Sequence, residues 1–146
     1  MIKLTEQQIN EIASELDAGM RCFYNKQTGE VKTIPDFDSW FGADQEPWEE
    51  DLTELDENRI NYIEFEDISS RESFKIMANF TESVEDVQLR DRLIDSLNRS
   101  KPFRNFKRII DNSGDYREKW FEFKEAKYIE WVKGQIKQLN RFENNG

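Results

Sequence analysis

The run Arg99-Ser-Lys-Pro-Phe-Arg-Asn-Phe-Lys-Arg-Ile-Ile110 interleaves bases with aromatics. A run of bases of this kind suits an anionic partner. On a helix beginning at Pro102, the sequence places Phe103, Phe106 and Ile110 on an inward stripe at helical spacing. Arg104, Lys107 and Arg108 then fall on a different, outward arc, and Arg117 adds charge nearby. These four bases are the candidate binding residues, for an anion or a nucleic acid. The plainer reading is an amphipathic helix with a solvated face, or a basic patch that pairs with the protein's own acids. A net charge of −10 also repels a polyanion at long range.

Other chemistry finds less support. There is no histidine and one cysteine, Cys22. Histidine-based triads, most structural zinc sites and any intramolecular disulfide are thereby excluded. Cys22 falls within a predicted strand with no histidine to activate it, so it reads as a small buried apolar residue. Asp36 and Asp38, or Glu49, Glu50 and Asp51, offer oxygen ligands to a hard cation. They lack the alternate spacing, central glycine and closing glutamate of a calcium loop, so no metal is expected. No Gly-x-Ser-x-Gly elbow and no glycine-rich phosphate loop occur, and no cofactor is expected. With 31 acids, a carboxylate pair for acid–base catalysis is easily imagined but cannot be located.

The chain that must position these residues has 146 of them, short enough to predict a single domain over 1–146 and long enough to bury a core. Its apolar and charged fractions are both 36%, which by themselves suggest disorder. Eleven Phe, four Trp and four Tyr argue instead for a folded domain with a small aromatic core. No targeting signal or apolar span of membrane length is seen, so the expectation is a cytoplasmic protein with no membrane contact. Charge is unevenly spread. Residues 35–67 hold 13 acids and one base, whereas 101–146 hold 7 acids and 11 bases.

Thr5 with Gln8 predicts a capped helix over 5–16, carried by Ile9, Ile12 and Leu16. A hairpin pairs 20–24 with 30–34 across a loop containing Gly29. The 35–59 segment reads as acidic and largely irregular, with at most a short helical turn, and with Phe37, Trp40, Phe41 and Trp48 docking back. A third strand is expected over 60–65. Four helices follow, the first capped by Ser69 and the last opened by Asp115, and 141–146 forms a frayed tail. The fold class is therefore α+β: an N-terminal helix, a small antiparallel sheet of about three strands and a C-terminal group of about four helices. The expected core includes Phe74, Met77, Ile94, Leu97, Phe103, Phe106, Ile110, Trp120 and Phe123.

In order along the second half come Ser73-Phe-Lys-Ile-Met77-Ala-Asn-Phe80, Asp86-Val-Gln-Leu-Arg90-Asp-Arg-Leu93, Lys101-Pro-Phe-Arg-Asn-Phe-Lys107, Asp115-Tyr-Arg-Glu-Lys-Trp-Phe121-Glu-Phe123 and Ile129-Glu-Trp131. With these motifs, and the hairpin carrying Thr28-Gly29-Glu30, the chain resembles the bacterial Uncharacterised Protein Family 0158 over about residues 16–135. Pro102 to Lys107 is the most specific motif. The resemblance implies a small stand-alone bacterial protein and no assigned activity, cofactor or catalytic residue. Arg104, Lys107 and Arg117 match charged positions of its motifs. The function expected is a non-enzymatic interaction module with a protein partner. The alternatives are a nucleic-acid or anion binder using Arg104, Lys107, Arg108 and Arg117, and a carboxylate-based enzyme.

Overall fold

The computed structural model describes residues 2–38 and 44–145, with the side chains of 143–145 not described. Trp40, Phe41 and Gly42 lie outside the described residues. The chain forms two compact units, Met1–Asp67 with Tyr128–Gly146, and Ile68–Lys127.

The first unit opens with helix α1, Glu6–Asp17. Both halves of the expected capping box are present: Gln8 N donates to Thr5 Oγ1 at 3.1 Å and Thr5 N to Gln8 Oε1 at 2.9 Å. Strands β1 (Met20–Asn25) and β2 (Val31–Pro35) form the hairpin. Gly29 takes φ +79° in its loop. The Asn25 carboxamide oxygen accepts from Gln27 N at 2.8 Å and Thr28 N at 3.1 Å, closing that loop from below. Strand β3, Tyr62–Phe65, is shorter than expected because residues 59–61 form a 3-10 turn that leaves Ile60 84% exposed. The antiparallel sheet runs β2-β1-β3, with Cys22 opposite both Thr33 and Phe65.

Side-chain alternation gives the sheet two different faces. Cys22, Tyr24 and Phe65 join Ile9, Ile12, Ala13 and Leu16 of α1 in one buried cluster. Arg21, Phe23, Tyr62 and Glu64 lie on the other face, against helix α2, Glu49–Glu57. Here the structure departs from the irregular segment expected at 35–59. Pro47 starts a 3-10 turn at 46–48 and α2 continues from it. Trp48, Leu52 and Leu55 recur at i, i+4 and i+7, and three acids in the first turn suit the positive end of the helix. Lys32 Nζ donates to Asp51 at 2.7 Å and the Tyr62 hydroxyl to Glu54 at 3.2 Å, tying α2 to the two outer strands.

The second unit holds α3 (Ser70–Glu82), α4 (Val87–Leu97), α5 (Pro102–Asp111) and the start of α6 (Asp115–Asn145). Ser69 caps α3 as expected, accepting from Glu72 N at 3.2 Å, and Asp86 caps α4 by accepting from Leu89 N at 3.1 Å. Asp115 sits in the first turn of α6. Met77, Phe80, Val84, Leu89, Leu93, Phe106, Ile110 and Trp120 form the buried cluster. Trp120 is its hub, edge-on to Phe80 at 5.3 Å and to Phe106 at 5.0 Å.

Of the expected core, Phe74, Leu97 and Phe123 are partly buried against this cluster and two residues are exposed. Ile94 is 44% exposed and Phe103 is 42% exposed. On α4 the buried stripe is Leu89, Leu93 and Ser96, whose hydroxyl donates to Leu93 O at 2.6 Å, so a polar residue is satisfied where Ile94 was expected. Residues 128–145 of α6 return to the first unit. Val132 enters its core, and Trp131 Nε1 and Gln135 Nε2 donate to Glu66 O at 2.7 and 3.0 Å. The helix continues through 141–145, the stretch expected to fray.

Candidate functional site

Helix α5 carries three of the four candidate bases. Its interior-facing side is Phe106 and Ile110, with Ile109 partly buried beside them. The helix starts abruptly. Lys101 takes the left-handed φ of +54°, Pro102 fills the first turn, and no side chain caps the end. Asn105 Nδ2 reaches back to Ser100 O at 2.9 Å and holds the approach in place.

Phe103, Arg104, Lys107 and Arg108 are all exposed and share the outward arc of this helix. Arg104 and Lys107 form no salt bridge with any described residue, and Arg108 reaches only the Asn105 oxygen, at 3.4 Å. The separation of inward stripe and outward bases therefore follows the expectation, except that Phe103 stands with the bases. Arg117 is placed differently. Its Nε lies 3.6 Å from Asp111 and its guanidinium 4.8 Å over the Phe121 ring, so its charge is already engaged. Lys124 Nζ lies 5.4 Å from the same ring. The structure thus brings Arg104, Lys107 and Arg108 together and leaves Arg117 as part of a local pair. Phe103, expected in the core, is exposed, and so are Phe121 and, at the far end of α6, Phe142.

In the first unit, a cavity of about 510 Å³ is lined by Asp36, Glu64, Glu66 and Asp67 together with Arg21. Glu64 is held in a two-bond pair with Arg21, Nε to Oε2 at 2.8 Å and Nη2 to Oε1 at 2.9 Å, which raises the Arg21 pKa against the effect of burial. A second groove of about 480 Å³ runs between the outer sheet face and α2, lined by Phe23, Ile34, Leu52, Leu55 and Tyr62. Among the described residues no group of three or more Cys, Asp or Glu side chains is arranged to hold a metal ion. The Cys22 thiol is buried and receives a 3.8 Å hydrogen bond from Thr33 Oγ1. Burial pushes its pKa up to about 11, the opposite of what a nucleophile needs.

The motifs and the hairpin lie within one match: the model of the uncharacterised protein family UPF0158 covers residues 1–144. The chain belongs to this family. The match extends the expected span of about 16–135 to both ends of the chain. No curated protein and no solved structure matches it. In this UPF0158 member the Pro102–Lys107 motif is therefore the start of α5, and its bases, with Phe103, face outward. Among the described residues, no helix is long and apolar enough to cross a membrane.

Proposed function

We propose that this protein is a non-enzymatic interaction module, and that the outward face of α5 is its contact surface. One observation carries the reading: Phe103 stands exposed among Arg104, Lys107 and Arg108 and is not buried beneath them. A large ring on a charged face gains most when a partner removes it from water, and aromatics and arginines dominate the energetics of such contacts. Arg104 and Lys107, without internal counter-ions among the described residues, suit an acidic partner. A protein surface of mixed acidic and apolar character answers both features. The single buried thiol fits a reducing compartment, the cytoplasm.

The test is a photoreactive residue at position 103, irradiated in cells. A discrete protein adduct that disappears in the Arg104→Glu/Lys107→Glu background is expected; no adduct overturns the reading. The rings and bases of α5 and early α6 favour a second reading, a single-stranded nucleic acid stacked on Phe103 and Phe121. That reading requires a mobility shift with a short oligonucleotide at low salt, weakened by the same two substitutions.

A further inference from the structure

The acidic partner that α5 calls for is present on the chain itself. Helix α2 has six acids and no base in nine residues. Asp51 pairs with Lys32, Asp56 with Arg59, and Glu54 accepts from Tyr62. Glu49, Glu50 and Glu57 form no salt bridge with any described residue, and neither does Glu46 in the preceding turn. All four are exposed, and Glu49, Glu50 and Glu57 fall on one arc of α2, at i, i+1 and i+8. Ile60, with its side chain almost wholly in water, stands in the 3-10 turn that follows α2. The face on α5 has the opposite sign: bases at i, i+3 and i+4, with one exposed large apolar residue, Phe103. The two helices are nearly equal in length, 9 and 10 residues, or roughly 14 and 15 Å.

We infer that the partner is a second copy of this chain, with α2 of one copy on α5 of the other. This rests on the reading of α5 as a contact surface and names what it contacts. Each copy supplies one acidic and one basic face, so an α2–α5 contact can join two copies. Two copies each carrying −10 repel at a distance, but that repulsion is screened beyond about 10 Å at 0.1 M salt. At contact, the local pairs set the sign. A nucleic acid lacks this balance, since it is negative throughout.

Sedimentation of the full chain over a concentration series at about 0.1 M salt tests the inference, with a repeat at about 1 M, where the screening length falls to about 3 Å. A monomer–dimer equilibrium that weakens at least about tenfold in high salt is expected. Arg104→Glu/Lys107→Glu/Arg108→Glu and Glu49→Lys/Glu50→Lys/Glu57→Lys should each be monomeric. Mixed one to one they should associate, since an acidic face of one then meets a basic face of the other. Recovery on mixing shows that neither variant was misfolded. A wild-type chain that stays monomeric to about 1 mM, or variants that dimerise as it does, overturns the inference. A monomer that still yields an adduct from position 103 with a different protein leaves the interaction reading standing; a monomer with no adduct removes both.

Discussion

Phe103 and Phe106 lie three residues apart on α5, and both fit a helical stripe ending at Ile110. The structure separates them because Ile109, on the other flank of Ile110, draws the buried arc away from Phe103. Phe106→Ala should therefore cost about 3–5 kcal/mol in urea unfolding, as truncation of a fully buried ring does. Phe103→Ala should cost less than about 1 kcal/mol. Equal losses would mean that both rings are core. Cys22 supplies a second test at this scale. Its thiol stays protonated in the fold up to about pH 11, whereas the unfolded chain begins to release that proton near 9. The folded state holds the extra proton in this window, so stability is full below pH 9 and falls as pH rises toward 11. The contribution is on the order of 2 kcal/mol. Cys22→Ala should flatten that part of the stability–pH curve relative to wild type. An unchanged slope would place the titration elsewhere. The Tyr128 phenol, also raised by burial, adds a fall of the same sign that the variant retains.

Among the elements, those with local stop and start signals were the legible ones. α1 has its capping box, α3 its serine cap and the hairpin its glycine, because each depends on bonds between residues two to four apart. Thr5→Ala should destabilise by about 1 kcal/mol through loss of the bond from Gln8 N. α2 was not legible as a helix because its acids and Pro47 mask an apolar stripe of only Trp48, Leu52 and Leu55. Leu52 and Leu55 are stabilised by the sheet face beside them, which lies elsewhere in the sequence. At α5 the left-handed Lys101 costs roughly 1 kcal/mol or more that glycine avoids. Lys101→Gly should leave thermal stability unchanged or raise it by a few degrees in calorimetry, despite the added freedom of the unfolded chain. A clear drop in Tm would show that the lysine side chain itself anchors the entry to α5.

At the scale of the whole molecule, the asymmetry in charge coincides with the division into units. The first unit holds 20 acids and 8 bases, net −12, and the second 11 acids and 13 bases, net +2. The sequence showed an acidic second quarter and a basic end. It did not show that the end of α6 belongs with the acidic unit, because the helix runs unbroken through both. Each unit has its own buried cluster, Leu16 and Cys22 in one and Leu93 and Phe106 in the other. Leu93→Ala should therefore lower native-state hydrogen-exchange protection in α3–α5 well before it affects β1–β3. A uniform loss across both clusters would mean that the chain unfolds as one cooperative unit.

The sequence by itself determined the fold class, the family, the capped helices, the hairpin and the candidate bases of α5. Each is written in nearest-neighbour chemistry: a cap, a turn glycine, a run of motif residues, a charge on an outward position. Tertiary structure alone decided which of two neighbouring stripes on α4 and α5 is buried, that Leu52 and Leu55 set α2 against the sheet, and that Phe103 remains in water beside Arg104 and Lys107. Helical periodicity restricts a face to an arc but leaves its edge open by one residue. Packing against distant residues sets that edge, and here it separates a core phenylalanine from one left partly in water.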